Sequence, residues 1–363
     1  MLVIQDPTDA QSTYLLESLL DSFRSATKIA GAFSFASAAG VRLVAEDRAF
    51  QEAAQHYPVE LVIGVDGVTN EAALYSLSAL AQAFPNVQVR AFLNPRPEAL
   101  YHPKFCWTKT ANGGRLITGS GNLTEGGLLR NWEAYAVDEL NAEEVLAVES
   151  SWNIWIVRHD ASLVSLDNEE VRRLARANNV LAREGDLPTL VAPAALTVAG
   201  TEPVTTLQIA STAAVLIAEI PQSGNRWKQA NFHLDDYLNF FGARGNRLVV
   251  FRHVNADGTM GDYERERPPV TVRSRNFRFE LAAATGIPYP TNGRPIGVFI
   301  RVGTRTFFYR LMLPSDAEYV TVSSLLERRA GGPARHMRSV RMTVDDLRRE
   351  WPTSPFWQLP STV

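Results

Sequence analysis

The chain has 363 residues, 45% of them hydrophobic and 21% charged, and its formal net charge is −3. That length allows two domains, each with its own core. The single cysteine, Cys106, excludes an internal disulfide framework or a cysteine-cluster metal site, and it fits a reducing compartment. No apolar run approaches the roughly 20 residues that cross a bilayer, and the segment MLVIQDPTDAQ lacks the basic start and apolar stretch of a signal peptide, so we expect a cytoplasmic protein with no membrane contact.

Helix and strand patterns alternate in the first half of the chain. Apolar residues recur at helical spacing in TYLLESLLDSFRSA (13–26) and EAALYSLSALAQAF, whereas KIAGAFSFAS, VELVIGVDG and NVQVRAFL are apolar runs typical of buried strands. Strands separated by helices predict an α/β domain whose sheet is largely covered.

Three further strands follow in close succession. HPKFCWTK and RLITGS flank TANGG, whose Asn-Gly pair predicts a tight hairpin turn with positive φ angles. NWEAYAV (131–137) is the third strand, and AEEVLAVESSWNIWIVRH predicts a helix after it. These elements complete a first domain over residues 1–175. Residues 176–198 lose both periodicities and carry two prolines, which predicts a linker.

Short strands separated by turn residues dominate the second half. Seven are predicted, in TTLQIA, AVLIAEI, RLVVFRHV, PPVTVRS, NFRFELA, IGVFIRVG and RTFFYRLML. Their spacing is typical of a β-barrel or sandwich over residues 199–325. Residues 326–363 form a C-terminal extension, in which RRAGGPARHMRSVRM predicts a basic loop and TVDDLRREWP a short helix capped by Thr343 or Asp345.

Charge is divided unevenly between the two halves. Residues 1–190 hold 15 basic and 24 acidic side chains, whereas residues 191–363 hold 21 basic and 15 acidic ones. A net positive second half suits a polyanion such as DNA. Arginine-rich surfaces also serve solubility alone, so composition leaves both interpretations open.

Four polar residues surround the predicted hairpin. His102 and Lys104 are two residues apart on a strand and therefore project from the same face. Ser120 and Asn122 repeat that spacing on the partner strand or just beyond it. Unpaired polar groups are costly in a covered sheet, and a bound phosphate would explain them. An imidazole can attack phosphorus to form a covalent phosphohistidine, while lysine and asparagine bind the oxygens that gain charge. Such a site needs no metal and no cofactor.

The motif resembles that of a known family. HPK followed by GSGNLTEGG is similar to the His-x-Lys and Gly-Ser-x-Asn signature of the phospholipase D superfamily, and LLRNWEAYAV resembles its nuclease branch. The resemblance implies a mixed sheet flanked by helices, with His102 as the nucleophile and Lys104 and Asn122 as phosphate ligands. It also places Ser120 in the site and makes Glu133 a carboxylate that orients or polarises a histidine. An ordinary strand glutamate is the alternative for Glu133.

Two departures from the family pattern bear on function. The lipase-type motif carries an aspartate seven residues after the histidine, where this chain has Lys109, and this change favours a nuclease over a lipid hydrolase. The superfamily also uses two histidines, one as nucleophile and one as general acid, but the chain has a single His-x-Lys motif. The resemblance therefore implies a homodimer in which two copies of His102 meet at a two-fold interface and share one active site.

Two polar clusters in the second half predict DNA contacts. Arginine, asparagine and glutamine read base edges, while lysine favours phosphate; a solvated loop is the alternative for each cluster. The segment PQSGNRWKQANFHLDDYLNFF (221–241) supplies Asn225, Arg226, Trp227, Lys228, Gln229 and Asn231, and TVRSRNFRFE (271–280) supplies Arg273, Arg275, Asn276 and Arg278.

These two arms on a small all-β or α+β pseudobarrel resemble the B3-type DNA-binding domain of certain restriction endonucleases. The domain order is similar to that of BfiI-like, metal-independent restriction endonucleases and of restriction subunits of the NgoAVII and CglI kind. The resemblance implies a sequence-specific endonuclease acting on double-stranded DNA. Since the chain has no GxxxxGK[ST] loop, any ATP dependence would come from a helicase-like partner subunit. A hydrolase of lipids or other small diesters, and a DNA-binding protein with an inactive site, are the alternatives.

Overall fold

The computed structural model describes residues 1–9, 12–96, 98–179, 207–222, 227–243, 247–264, 270–271, 277–330 and 337–360. Contacts divide the chain into two compact units, the first within residues 1–195 and the second within 196–363. None of the helices in this described part is long and apolar enough to cross a membrane.

The first unit is built on a mixed eight-stranded sheet with the strand order β1-β7-β6-β5-β2-β3-β4-β8. β2, β3 and β4 run parallel to one another, and the remaining neighbours are antiparallel. The strands are β1 (Leu2–Gln5), β2 (Lys28–Phe33), β3 (Val59–Gly64), β4 (Val87–Phe92), β5 (Lys104–Thr110), β6 (Gly113–Gly119), β7 (Glu133–Leu140) and β8 (Leu163–Val164). The mixed α/β sheet that the sequence predicts is therefore present.

Helices cover both faces of this sheet. Those that the structure describes are α1 (Leu15–Phe23), α2 (Ala38–Ala45), α3 (Arg48–His56), α4 (Glu71–Ala83), α5 (Ala142–Arg158) and α6 (Glu169–Asn178). Alternate residues of β2 enter different cores: Ile29 and Phe33 pack with α1, α2, α3, α4 and α6, whereas Ala30 and Ala32 pack under α5. A strand buried on both faces explains the continuous apolar run in its sequence.

The β5–β6 hairpin differs in one detail from its prediction. Thr110 pairs with Gly113, which leaves a two-residue loop of Ala111 and Asn112. Only Gly113 has a positive φ, at +153°, and Asn112 does not. A side chain at Gly113 would also bring its Cβ to 2.2 Å from the Leu140 carbonyl oxygen. The hairpin is confirmed, but the positive φ angle belongs to the glycine alone.

The end of the first unit overlaps the predicted linker. α6 continues to Asn178, whose amide donates to the Val65 and Thr69 carbonyl oxygens at 3.0 and 2.9 Å. These bonds attach residues 176–178 to the first unit. The rest of the linker prediction, residues 180–198, lies outside the described residues.

The described residues of the second unit form two sheets and two α-helices. A six-stranded sheet has the order β12-β11-β16-β15-β9-β17, and a three-stranded sheet has the order β10-β14-β13. The elements are β9 (Ala214–Glu219), β10 (Gln229–Phe232), β11 (Val250–Val254), β12 (Met260–Tyr263), β13 (Val270–Thr271), β14 (Phe277–Glu280), β15 (Ile296–Arg301), β16 (Thr306–Met312), α7 (Tyr319–Ala330), β17 (Ser339–Thr343) and α8 (Val344–Glu350). Within the described residues these strands do not close into a barrel.

Each face of the six-stranded sheet has its own core. Phe299 and Phe307 face the three-stranded sheet, where they pack with Phe279 of β14. Val298 and Phe308 face the opposite way and pack with α7 and α8. The layers are thus a small sheet, a large sheet and a pair of helices, which is an α+β arrangement.

Residues 326–363 are more regular than their prediction as a basic loop and a short helix. Arg328 and Arg329 belong to α7, and β17 pairs antiparallel with β9. The predicted helix is confirmed as α8, and Thr343 is its N-cap, in a capping box with Asp346. Asp345 lies in the first turn instead. The loop prediction is wrong for the residues of β17, because that strand is stabilised by pairing with a strand about 120 residues away, which local composition does not reveal. Residues 331–336, the centre of the predicted loop, lie outside the described residues.

Candidate active site

One edge of the first sheet gathers the predicted site residues. β5 is antiparallel to both β2 and β6, and β6 is antiparallel to β7, so β5 and β7 begin at the edge where β2 and β6 end. The register sets Phe33, the last residue of β2, opposite Lys104, the first residue of β5. His102 lies just before β5, Ser120 and Asn122 just after β6, and Glu133 at the start of β7.

His102 and Lys104 are in direct contact. The Nζ atom of Lys104 lies 2.8 Å from the Nε2 atom of His102, and it donates to the His102 carbonyl oxygen and to the Ser34 hydroxyl, each at 3.2 Å. The Ser34 hydroxyl donates in turn to the Pro103 carbonyl oxygen at 3.1 Å. Ser34, which directly follows β2, therefore fixes the lysine against the histidine.

The contact with Lys104 assigns a hydrogen-bonding role to Nε2 of His102. A lysine ammonium group can only donate hydrogen bonds, so Nε2 accepts and a ring hydrogen belongs on Nδ1. Burial lowers the pKa of Lys104 below its ordinary 10.5, and attraction to Glu133 opposes that shift. A neutral imidazole with its lone pair on Nε2 is the form that can attack phosphorus.

Ser120 and Glu133 form a second pair at the same edge. The Ser120 hydroxyl donates to Oε2 of Glu133 and accepts the backbone N–H of Ala134 at 3.0 Å. Asn131 donates to the other carboxylate oxygen, Oε1, at 3.2 Å. Two donors thus hold the Glu133 carboxylate, which also lies close enough to affect Lys104 electrostatically. Glu133 thus lies at the same sheet edge as His102 and Lys104, and the orienting role expected for it stays a prediction.

Asn122 supports the site through the backbone. Its Oδ1 atom accepts the N–H of Phe35 at 3.1 Å, and the Phe35 ring packs edge-on against the His102 imidazole with centroids 6.4 Å apart. With its carbonyl oxygen engaged in this way, the Asn122 amide has its NH₂ group to offer to a phosphate oxygen.

Glycines allow the strands to approach at this edge. A Cβ added to Gly119 would lie 2.4 Å from the Cβ of Tyr135, and one added to Gly127 would lie 2.5 Å from the backbone nitrogen of Asn122. Both contacts are far below any real carbon contact, and a larger residue would push Ser120 and Asn122 out of place. Gly119 of GSGN and Gly127 of TEGG are therefore required by packing.

Three site residues were missed by the sequence analysis: Ser34, Phe35 and Asn131. Ser34 carried one usable signal, because it is a polar residue inside the apolar run KIAGAFSFAS. Phe35 and Asn131 carried none, since each acts through a contact that only the sheet topology creates.

Lys109, which stands where the lipase-type motif has aspartate, points away from the site. Residues 104 and 109 have opposite parity on β5 and face opposite sides of the sheet. Lys109 Nζ lies 2.8 Å from Glu149 of α5, and Glu149 also pairs with Lys28 at 3.2 Å. The lysine thus helps to fasten α5 to the sheet.

In the second unit, the three-stranded sheet presents a polar face. Arg278 of β14 pairs directly opposite Asn231 of β10, and its Nε donates to Asn231 Oδ1 at 2.8 Å. A terminal nitrogen of the same guanidinium lies 3.4 Å from Gln229 Oε1. Lys228 forms an ion pair with Glu280 at 2.8 Å. Gln229, Asn231 and Arg278 therefore form one hydrogen-bonded cluster.

Trp227 differs from its prediction as a DNA contact. Its side chain is only 5% exposed, its Nε1 donates to the Ile287 carbonyl oxygen at 2.7 Å, and its ring packs against Tyr289. An indole that fills a core in this way supports the fold and is not available to DNA. Five of the other predicted contacts lie outside the described residues: Asn225, Arg226, Arg273, Arg275 and Asn276.

The described part of the chain holds no group of three or more His, Cys, Asp or Glu side chains close enough together to bind a metal ion.

Comparison with known proteins gives structural likenesses only. No protein-family model matches the sequence, and no curated protein matches it. Nuc, a phospholipase D family member from Salmonella typhimurium, is 20% identical over 45% of this chain and 94% of its own, with a TM-score of 0.33. NucT from Helicobacter pylori is 18% identical over 46% and 97%, with a TM-score of 0.33. The N-terminal domain of Helicobacter pylori LlaJI.R1 is 10% identical over 36% and 97%, with a TM-score of 0.26. Scores of this size carry no information about the reaction.

Proposed function

We propose that this chain is a DNA endonuclease that hydrolyses phosphodiesters through a covalent phosphohistidine at His102. The observation that carries the proposal is the 2.8 Å contact between Lys104 Nζ and His102 Nε2. It combines a neutral imidazole nucleophile with a cation that can move onto a phosphate oxygen. The Ser120–Glu133 pair at the same sheet edge completes a polar site.

In the first step, Nε2 of His102 attacks phosphorus and forms a P–N bond while the P–O bond to the leaving oxygen breaks. Lys104 and Asn122 bind the non-bridging oxygens, where negative charge accumulates. Glu133 stabilises the positive charge that the attacking imidazole acquires. Water then attacks phosphorus, the P–N bond breaks, and His102 returns to its neutral form.

The leaving oxygen requires a proton in the first step, and the attacking water must lose one in the second. A second imidazole can serve both needs as general acid and then general base. We propose that His102 of a second copy supplies it, which makes the active species a homodimer with a shared site. The single His-x-Lys motif of the chain supports this arrangement.

We propose further that the second unit is a B3-like domain that selects the DNA sequence. The cluster of Gln229, Asn231 and Arg278 supports this assignment, because amides and guanidinium groups present the paired donors and acceptors that read base edges. The excess of basic over acidic residues in this half supplies attraction to the phosphate backbone. Together the two units would form a sequence-specific, metal-independent restriction endonuclease of the BfiI-like kind, acting on double-stranded DNA.

A cleavage assay tests this function. Purified protein is incubated with several plasmid and phage DNAs in excess EDTA, without ATP, beside the His102→Ala variant. Discrete fragments from the wild-type chain alone are the expected result. Equal cleavage by both proteins would remove His102 from the mechanism.

Intact DNA in that assay would call for a second experiment with ATP and the products of neighbouring genes. Cleavage then would identify a restriction subunit that depends on a helicase-like partner. Hydrolysis of phosphatidylcholine with no action on DNA in either assay would identify a lipid diesterase and contradict the proposal.

A further inference from the structure

An aromatic cavity of about 580 Å³ lies between α5 and the sheet of the first unit. Its walls include Phe92, Tyr101, Pro103, Trp107, Trp152 and Trp155. None of the residues that line it is charged. The cavity therefore suits a flat, uncharged group whose attached charge remains outside.

The cavity and the phosphate site share one wall. Tyr101 and Pro103 line the cavity, and they alternate in sequence with His102 and Lys104, which contact each other at the phosphate site. In an extended segment, alternate side chains point to opposite sides. The cavity and the phosphate site therefore lie on opposite sides of residues 101–104, which lead into β5 at the edge of the sheet.

Parallel rings already line the cavity as a stack. Tyr101 stacks on Phe92 with centroids 4.2 Å apart and an interplanar angle of 19°, and Trp155 stacks on Phe92 at 5.8 Å and 25°. Trp155 also stacks on Trp152 at 5.8 Å. Nearly parallel aromatic faces are the surface on which nucleobases bind in single-stranded nucleic acid sites.

Two cavity residues also carry unmet hydrogen-bonding capacity. The Tyr101 hydroxyl and the Trp107 Nε1 atom are buried without a partner, whereas the buried Tyr135 hydroxyl has a bond to Ser18 at 3.0 Å. Unpartnered buried polar groups are costly. Neither atom has accessible surface in this structure, so a ligand would reach them only if the rings around the cavity moved.

We propose that the cavity binds a nucleobase of the strand that is cut, extruded from the duplex beside the scissile phosphate. Extrusion places a base in a pocket at the cost of unstacking, which aromatic walls offset. The inference rests on the proposed function, because it takes the substrate to be a nucleic acid. It adds to the proposed function that the substrate must carry a base that can enter the cavity, which the phosphate site alone does not require.

Equilibrium binding to the full-length protein tests the cavity without cleavage. Thymidine 5′-monophosphate and 2-deoxyribose 5-phosphate share a phosphate and a sugar, but only the first has a base. The expected result is that the wild-type chain binds thymidine 5′-monophosphate on the order of 10- to 100-fold more tightly. Trp155→Ala should remove that preference and Trp155→Phe should retain most of it. Ile154→Ala, on the same helix but at an exposed position outside the cavity, should leave it unchanged.

Equal affinity of the wild-type chain for the two phosphates would overturn the cavity assignment, and DNA cleavage in the same preparation would show that the proposed function survives. A base preference that depends on Trp155 in a protein that cuts no DNA would support the cavity and contradict the function. If Trp155→Ala altered the sedimentation of the protein but not nucleotide binding, the cavity would be an association surface instead.

Discussion

The Nζ atom of Lys104 lies 2.8 Å from the Nε2 atom of His102, and the same ammonium group donates to the Ser34 hydroxyl at 3.2 Å. Each partner has a distinct effect on the site. The contact makes Nε2 of His102 a hydrogen-bond acceptor, and in the proposed mechanism Lys104 lies within reach of the phosphate that His102 attacks.

Lys104→Ala should lower the single-turnover rate of DNA cleavage by about 10²- to 10³-fold, because the variant lacks a charge that stabilises the transition state. Lys109→Ala is the matched control, since it removes a lysine from the same strand but from the opposite face. The control should cleave DNA at the wild-type rate. Comparable losses in the two variants would contradict the role of Lys104.

The alkaline limb of the pH–rate profile should report Lys104. Burial lowers its pKa below the ordinary 10.5, so the ammonium group loses its proton at a lower pH than a solvated lysine does. Cleavage should therefore decline as the pH rises, at a pH below 10.5. Lys104→Arg should cleave more slowly but shift this decline upward, because arginine stays charged. If cleavage declined at the same pH in the wild-type chain and in Lys104→Arg, the decline would belong to a group other than Lys104.

The free energy of unfolding should decrease at acidic pH, because Glu149 of α5 then becomes protonated. Hydrogen bonds from Lys109 and, less strongly, Lys28 lower the pKa of this carboxyl against the opposing effect of burial. A carboxyl with a lowered folded pKa stabilises the protein fully above its ordinary 4.5 and loses that contribution as the pH falls through the folded value.

The matching experiment compares the urea unfolding of the wild-type chain and of Glu149→Gln. The wild-type chain should be more stable by about 1–3 kcal/mol at pH 7, and the difference should shrink below pH 4.5. Glu143→Gln, at an exposed position of the same helix, should change little at either pH. If the stability difference between the wild-type chain and Glu149→Gln grew at acidic pH, the role assigned to Glu149 would be contradicted.

Arg278→Ala should weaken binding to the specific DNA site by about 1–3 kcal/mol if the guanidinium reads a base. The loss should be smaller on unrelated DNA, which fluorescence anisotropy with the two duplexes would measure. Arg349→Ala removes the same charge from an exposed position on α8 and should leave the preference intact. An equal loss on both duplexes in Arg278→Ala would make the residue a phosphate contact.

Much of the first unit was predictable because its strands and helices are strongly periodic. The strands containing Ile29, Val89 and Trp107 lie close to their predicted positions, since each is an apolar run bounded by turn residues. The β5–β6 hairpin was predictable from the glycine at its turn. The contact between His102 and Lys104 was predictable from their spacing of two on an extended segment.

The remaining features depend on contacts that sequence spacing does not encode. Ser34 reaches Lys104 only because β2 and β5 are neighbours, and β17 forms only because β9 offers it an edge. Trp227 looked like a surface residue because it stands in a polar segment, yet the core of the second unit accepts its ring. In each case tertiary packing outweighed the local pattern.

The measurement that tests the central claim most directly is mass spectrometry of the protein trapped during DNA cleavage. A short duplex containing the cut site is mixed with the wild-type chain, the reaction is stopped by rapid denaturation at alkaline pH, and the digested peptides are searched for a bound nucleotide. We predict a nucleotide linked through phosphorus to the peptide that contains His102, and none in His102→Ala. Cleavage without such an adduct, or an adduct on a different residue, would contradict the phosphohistidine mechanism.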